Sequence, residues 1–465
     1  MGYDVAIIGL GRMGQNLALN LAEKGFSVAV YNRTKERTEE LLARAEGLPV
    51  KGFEGIRELA LELKSPRKVL LMVAPGPPVG EVLSHLERFL EPGDVVADLG
   101  NSHFRDTERR AEHARAKGYI FCGVGVSGGP AGARRGLSIM AGGDSEGFER
   151  LRPLLEAAAA RGPRGPALAY LGAGGAGHYV KMVHNGIEYA MMQVLAELYD
   201  VQRRLLAREV EEIRGFLRAC ANGPAASFLL DTALQVLSYR DEDTRLPLVE
   251  LIMDKAEQKG TGRWCAQEAL ELGWPAPMIC SAVEARVLSS LKELRELLAP
   301  RYKLLTAGPM PQDGEMEQAL NFGFLMAYVE GLELLRRAAK AHAYGFRLEH
   351  VLLAWHAGSV VRSSLLDELL KLAGELDAKQ HALLVPGVER RARAWHEGAR
   401  KVLSRAKEAA LPMPALSSAL DHFDALASKT LPANLLQGMR DLFGGHGFER
   451  IDRPGVHHGP WAEGQ

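Results

Sequence analysis

The residues with the clearest chemical potential lie together in Gly177-His178-Tyr179-Val180-Lys181-Met182-Val183-His184-Asn185-Gly186-Ile187-Glu188-Tyr189. The apolar series Val180, Val183, Ile187, Met191 and Val194 predicts a helix through this stretch. On that helix Lys181, His184, Asn185 and Glu188 fall at i, i+3, i+4 and i+7, forming one polar stripe. At ~100° per residue the stripe sits about a third of a turn from the apolar one. The helix can therefore pack on one side and hold four functional groups towards a cleft on the next. Desolvation loosens the proton on a lysine and tightens it on a glutamate, which suits Lys181 as a base and Glu188 as an acid. A solvated face with an intrahelical salt bridge is the alternative for any Lys/Glu pair alone. The amide and imidazole between them, and the approach Gly172-Ala173-Gly174-Gly175-Ala176-Gly177, favour a site.

A site needs elements to position it, and the N-terminal part supplies them. Val5-Ala6-Ile7-Ile8 reads as a buried parallel strand, and Gln15 to Lys24 as an amphipathic helix. Between them stands Gly9-Leu10-Gly11-Arg12-Met13-Gly14, a G-x-G-x-x-G turn with the strand and helix it requires. Such glycines let the backbone approach a pyrophosphate at a helix N-terminus. The second strand, Ser27 to Tyr31, runs into Asn32-Arg33-Thr34, where an NAD site usually carries an acid for the ribose hydroxyls. An arginine there suits a 2′-phosphate, so the expected cofactor is NADP. Further strands are expected at Val69–Val73, Val95–Asp98, Ile120–Cys122, Ser138–Met140 and Leu168–Tyr170, most with helical patterns between them. This alternation predicts an α/β doubly wound, Rossmann-like domain over residues 1–176. Ligands bind such sheets beyond the carboxyl ends of the strands. There Asp98-Leu99-Gly100-Asn101-Ser102 and Val126-Ser127-Gly128-Gly129 offer small side chains and free amides, although either alone is an ordinary turn.

From residue 178 onward the spacing is helical, notably over 187–221, 248–271, 279–299, 315–343 and 399–410. This predicts a large all-α domain over 177–435. Within it, Glu257 to Trp264 sets Lys259 among glycines, where it could reach an anion. Arg286 alone reads more readily as a salt-bridge partner than as a ligand. Residues 436–465 read as a separate tail. Around Arg440 to Phe448 it turns irregular and glycine-rich, a stretch expected to fray unless docked on another subunit.

Lys plus Arg number 57 against 58 Asp plus Glu. With no basic tail or patch, nucleic acid and anionic membrane are excluded as expected partners. Cys122, Cys220, Cys265 and Cys280 form no C-x-x-C pair and read as reduced thiols of a cytoplasmic protein. No signal peptide is expected at the N-terminus, and no apolar run nears the ~20 residues of a membrane helix.

With these residues in view, the chain resembles the 6-phosphogluconate dehydrogenase family over nearly its whole length. The likeness is densest in Gly177–Tyr189, Glu257–Trp264 and Leu431-Pro432-Ala433-Asn434-Leu435 to His446. It implies NADP-dependent oxidative decarboxylation of 6-phosphogluconate to ribulose 5-phosphate, the oxidative branch of the pentose phosphate pathway and of gluconate utilization. By the resemblance Lys181 is the base at the C3 hydroxyl, Glu188 the acid that protonates C1 of the enediol, and Asn185 sits beside them; no metal is needed. Asn101, Ser127, Gly128, Gly129, His184 and Asn185 match substrate positions near the carboxylate and hydroxyls. Tyr189, Lys259, Arg286 and Arg440 match phosphate binders, with His446 beside them. Gly9 to Gly14, Asn32, Arg33, Thr34, Val73, Ala74, Pro75 and Asn101 correspond to cofactor contacts. In the family the tail crosses to the partner subunit, which implies an obligate homodimer with tail exchange.

Three departures stand out. Gly11 replaces a usual alanine, Ala74-Pro75 replaces a Lys-Ala-Gly run and removes one cationic cofactor contact, and Pro130-Ala131 replaces an acidic pair. Shorter β-hydroxyacid dehydrogenases share the glycine turn and lysine helix but lack the phosphate binders and the tail. A non-catalytic NADP-binding protein would have no reason to keep Lys181, Glu188 and Asn101 in register.

Overall fold

The computed structural model describes residues 2–258, 260–306 and 308–461. By its internal contacts the chain forms two units, residues 1–419 and 420–465. The first holds an eight-stranded sheet and most of the helices.

The strands in chain order are β1 (Val5–Ile8), β2 (Val28–Tyr31), β3 (Val50–Gly52), β4 (Lys68–Leu71), β5 (Val95–Asp98), β6 (Ile120–Ser127), β7 (Ser138–Ala141), β8 (Arg161–Gly162), β9 (Gly165–Pro166) and β10 (Leu168–Tyr170). The sheet order is β10-β7-β6-β5-β4-β1-β2-β3, with β8 and β9 forming a separate hairpin. Strands β1 to β6 run parallel, as the alternation predicts; β7 pairs antiparallel with β6, and β10 parallel with β7. Val5, Ala6, Ile7 and Ile8 are fully or almost fully buried, as a central strand covered on both faces requires.

Strand β6 runs five residues past the predicted Cys122, and that extension builds the site. Gly123, Gly125 and Ser127 alternate onto one face. The helix Ala176–Arg204 presses against that face. A Cβ on Gly123 would lie 2.9 Å from the His178 ring, and one on Gly125 would lie 2.4 Å from the Cβ of Lys181. Gly177 in turn passes within 2.4 Å, measured from its absent Cβ, of the Gly123 carbonyl oxygen. Small residues at alternate strand positions thus bring a helix nearly into backbone contact and seat its lysine on the sheet.

The helical half is anchored on a second 29-residue helix, Asp313–Ala341. It too uses glycine at the crossing: a Cβ on Gly331 would meet Ile187 at 2.4 Å, and one on Gly323 would meet Val194 at 2.9 Å. Buried carboxylates of the long helices close the N-termini of others. Glu330 accepts the Met278 and Ile279 amides, both at 3.1 Å, and Glu197 accepts those of Ala415 and Leu416 at 2.8 and 3.0 Å. Charge at a helix N-terminus satisfies amides that otherwise lack partners. Among the described residues no helix is long and apolar enough to cross a membrane.

The helical expectations change in four places; the segment expected over 279–299 is two helices, Pro277–Ser290 and Lys292–Tyr302, interrupted at Leu291. The segment expected over 187–221 breaks after Arg204 and restarts at Val210 behind a Glu209/Glu212 capping box. The one expected over 248–271 is a four-residue turn, Leu248–Leu251, then a helix Thr261–Glu271. The stretch from Arg440 is not irregular throughout: Arg440 lies on the helix Ala433–Gly444, and a short hairpin pairs Phe448–Glu449 with Val456–His457. Asp441 organises this second unit. Its carboxylate accepts the amides of Gly447 and Gly459, both at 2.8 Å, the Trp461 indole N–H at 2.9 Å, and contacts the His458 Nδ1 at 2.6 Å.

Candidate active site

The four stripe residues do converge. Lys181 is only 7% exposed and His184 is fully buried. Lys181 Nζ lies 3.4 Å from His184 Nδ1, and Glu188 Oε2 lies 3.9 Å from the same nitrogen. Asn185 Oδ1 is 3.1 Å from Nδ1, and its Nδ2 donates to Thr261 Oγ1 at 2.9 Å. Burial pulls the Lys181 amine down to about 8, opposed by the Glu188 charge. Burial raises the Glu188 carboxyl against the pull of Lys181 and Arg286. The amine and the carboxyl are therefore shifted towards each other from opposite ends of the scale.

At the end of β5 the buried Asp98 accepts the Gly100 amide at 2.8 Å and the Ser102 hydroxyl at 2.6 Å. These bonds shape the loop that presents Asn101, an exposed side chain with no hydrogen bond among the described residues. At the end of β6, Ser127 Oγ accepts the Val360 amide at 3.1 Å. Gly128 and Gly129 take φ of +123° and +62°, and a Cβ on Gly128 would sit 2.7 Å from the Gly358 carbonyl oxygen. Pro130 falls in the first turn of the helix Gly129–Arg135, where a missing N–H costs nothing, so the departure from an acidic pair fits this turn.

Tyr189 is buried under Arg286, whose guanidinium lies 3.5 Å from the ring centroid. Arg286 also donates to the Glu257 carbonyl at 3.1 Å and makes no ion pair among the described residues. Gly262 abuts the same ring: its absent Cβ would fall 2.5 Å from it. The structure therefore joins Tyr189, Arg286, Glu257 and Gly262 in one patch beside Glu188. Lys259 lies outside the described residues. The His103 ring meets Trp264 edge-on at 5.0 Å, tying the Asn101 loop to this segment. Arg440 and His446 belong to the second unit, where both are exposed.

The glycine turn fits a dinucleotide. A Cβ on Gly9 would clash with the Met72 carbonyl at 2.6 Å, and one on Gly14 with the Gly9 carbonyl at 1.9 Å, so both must be glycine for the strand-to-helix step. Gly11 differs: its φ is −67° and nothing lies within 4 Å of its absent Cβ. An alanine would fit there equally, and the open space is what a pyrophosphate requires. The helix Arg12–Glu23 starts without a side-chain cap, leaving its first amides available to an anion. Val73 packs against Gly9, while Ala74 and Pro75 are exposed at the rim. Asn32 Oδ1 accepts the Leu10 amide at 2.9 Å, and Asn32 Nδ2 donates to the Thr34 carbonyl at 3.0 Å. Asn32 thus braces the turn itself. Arg12, Met13, Arg33 and Thr34 surround it, and the Arg12 and Arg33 side chains, both exposed, have no partner among the described residues.

Three contributors carried weak signals or none. Gly125 was legible in principle as part of Gly123-x-Gly125-x-Ser127, but glycines in a strand read first as breakers. Thr261 lies inside a segment singled out for its lysine and glycines. Ser359, whose Oγ is 2.9 Å from His184 Nε2, lies 175 residues from its partner and has no local signature.

A glycine turn open to a pyrophosphate, with a buried lysine laid against the same sheet, defines the class of dinucleotide-dependent dehydrogenases. The comparisons narrow this. Residues 4–172 match the NAD binding domain of 6-phosphogluconate dehydrogenase, and residues 177–461 match the 6-phosphogluconate dehydrogenase C-terminal domain. The chain is 38% identical over 472 residues to a Bacillus subtilis NAD-dependent, decarboxylating 6-phosphogluconate dehydrogenase, covering 100% of both chains. It is also 38% identical over 466 residues to the NADP-dependent, decarboxylating enzyme of the same organism, covering 99% of both. The Plasmodium falciparum 6-phosphogluconate dehydrogenase structure superposes with a TM-score of 0.95 at 35% identity, covering 98% of this chain and 100% of that one. The chain belongs to the 6-phosphogluconate dehydrogenase family.

Proposed function

We propose that this chain oxidises and decarboxylates 6-phosphogluconate to ribulose 5-phosphate and carbon dioxide with NADP as acceptor. The observation that carries the reading is the cluster of buried Lys181 and His184 with half-buried Glu188, laid against β6 at Gly125. When bound, the dinucleotide, held by Gly9 to Gly14 and Arg33, supplies the two-electron acceptor for the C3–H bond. Neutral Lys181 takes the C3 hydroxyl proton as that bond breaks. The 3-keto acid then loses carbon dioxide, its carbonyl serving as the electron sink while protonated Lys181 returns the proton to the carbonyl oxygen. Glu188 delivers a proton to the enediol carbon, Lys181 regains the hydroxyl proton, and the ketone of the product forms. Asn101, Ser127 with its glycines, His184 and Asn185 orient the carboxylate and hydroxyls; Tyr189, Lys259 and Arg286 take the phosphate. Production of reduced cofactor matched mole for mole by carbon dioxide, on adding 6-phosphogluconate, tests the reaction. Reduction without carbon dioxide would instead indicate a simple β-hydroxyacid dehydrogenase.

Overall likeness does not choose the cofactor, since NAD- and NADP-dependent relatives match equally well. Support for NADP comes from an unpaired Arg33 and from the absence of a carboxylate in Asn32-Arg33-Thr34. Arg12, also unpaired, offsets the cation absent at Ala74-Pro75. Arg33→Asp is expected to raise KM for NADP at least tenfold more than KM for NAD, each tenfold being about 1.4 kcal/mol of binding. Equal changes in the two constants would remove the NADP assignment.

The working form is a homodimer in which Arg440 and His446 complete the neighbour's phosphate site. In support, the helix Ala433–Gly444 exposes Leu435, Leu436, Met439 and Phe443, a contiguous apolar face. A chain ending at Met439 is expected to show a steeply raised KM for 6-phosphogluconate and to dissociate on dilution in gel filtration. Full activity of that chain would refute the exchange. The four free thiols suit the cytoplasm.

A further inference from the structure

Ser359 lies in the loop between the helices Leu348–Trp355 and Ser364–Lys371, and it is fully buried. The first of these helices docks on the sheet through the Ser138 hydroxyl, which donates to the Ala354 carbonyl at 2.6 Å, and through the Trp355 indole on Met140 Sδ at 3.2 Å. Gly358, at φ +69°, is wedged against Ala160 and the Gly136 carbonyl, where a Cβ would fall within 2.7 and 2.9 Å. The loop is therefore fixed, and it carries Ser359 Oγ to 2.9 Å from His184 Nε2.

The hydrogens of this contact can be counted. Ser359 Oγ accepts the Val361 amide at 3.1 Å. Were it also to accept an N–H from His184, its own O–H would be buried with no acceptor among the described residues, which costs about 1–3 kcal/mol. Donating that O–H to a bare Nε2 spends every group. At the other end of the ring Nδ1 faces Asn185 Oδ1, an acceptor, at 3.1 Å, and so must carry the proton. Asn185 passes the direction on, through Nδ2 to Thr261 Oγ1.

We propose that Ser359 is a positioning residue that fixes His184 as its Nδ1–H tautomer and thereby favours the form of Lys181 that accepts the substrate proton. The consequence follows from the 3.4 Å between Nδ1 and Lys181 Nζ. With Nδ1 protonated and its hydrogen given to Asn185, the ring offers no lone pair there to accept an ammonium hydrogen, which favours the neutral amine. Other charges around the ring are Glu188, at 3.9 Å on the same helix, and Arg362, whose guanidinium is turned away onto the Ser359 carbonyl at 2.7 Å; the Trp355 edge, 5.6 Å between centroids, is neutral. Burial, helped by Lys181, depresses the imidazole well below its ordinary value, in keeping with a neutral ring.

The catalytic part of this proposal rests on Lys181 as the base; the tautomer does not. In full-length protein labelled with 15N-histidine, with the His184 signals identified by their loss in His184→Gln, Nε2 is expected to resonate as a pyridine-type and Nδ1 as a pyrrole-type nitrogen. A pyrrole-type Nε2 would overturn the proposal whether or not the enzyme turns over, so its failure is distinct from failure of the proposed reaction. Ser359→Ala is expected to lose or mix this signature and to lower kcat about 10- to 100-fold. KM for 6-phosphogluconate should stay within about twofold, since Ser359 is fully buried and acts through His184. Ser359→Cys, a weaker donor of similar size, should fall between the two and carries the test if the alanine variant does not fold. Wild-type kcat with an unchanged ring spectrum in either variant would overturn it.

Discussion

Lys181→Met is expected to abolish turnover and, at neutral pH, to make the protein more stable. The first effect is loss of the base, worth about 10²- to 10⁴-fold. The second follows from burial. An ammonium at 7% exposure has shed most of its water, and its proton is held at about 8 instead of 10.5. Between those values the unfolded chain binds the proton that the folded chain releases, so wild-type stability rises with pH across that window. Below about 8 the penalty is present in full, at about 3 kcal/mol for a shift of this size. Methionine fills similar volume without that penalty. The variant should therefore melt above the wild type at pH 7, with the gap closing as pH approaches 10.5, while calorimetry still detects 6-phosphogluconate binding. A variant that melts lower at pH 7 would mean Lys181 is held for packing.

The second large effect concerns Glu188. Burial lowers the Lys181 amine to about 8 and raises the Glu188 carboxyl, so the two draw together. The reactive arrangement, amine and protonated carboxyl, shares a single proton. Activity in kcat/KM is thus expected to rise as the pair loses its second proton and to fall as it loses the first, near 8. Glu188→Gln removes the acid and should cost about 10²- to 10³-fold. It should also invert the alkaline limb. With only neutral Lys181 required, residual activity climbs with pH, through a midpoint below 8 because the attraction that raised the lysine is gone. Retention of a falling limb near 8 in Glu188→Gln would assign that limb to another group and dismantle the acid–base pair.

Much of this was readable because the relevant signals are local. The strand Val5–Ile8, the glycine turn and the polar stripe at i, i+3, i+4 and i+7 each lie within one element. The misreadings share a different cause. Apolar spacing runs on through Leu205 and Leu206 because both flanking helices pack on one core, so only the Glu209-x-x-Glu212 box marks the break. Gly123 and Gly125 look like an interruption when they are in fact the surface against which Lys181 is pressed. The glycines after Arg440 give its stretch the look of a loop, although the turn starts only at Gly445, where φ is +60°. Ser359 could not be found at all, since the fold alone makes it a neighbour of His184.

Asp441 gives residues 441–461 a further meaning. Four groups from Gly447 to Trp461 close on one carboxylate, so the hairpin after the helix Ala433–Gly444 is shaped from within. A segment that ordered only on contact would forfeit about 1–2 kcal/mol of backbone freedom per residue at that moment. A segment already folded owes little of this, so in the proposed exchange recognition would resemble a key entering a lock more than a string finding its path. The rate at which such halves come together should then be set by encounter and orientation, and nearly all of the buried apolar area is left to slow their separation.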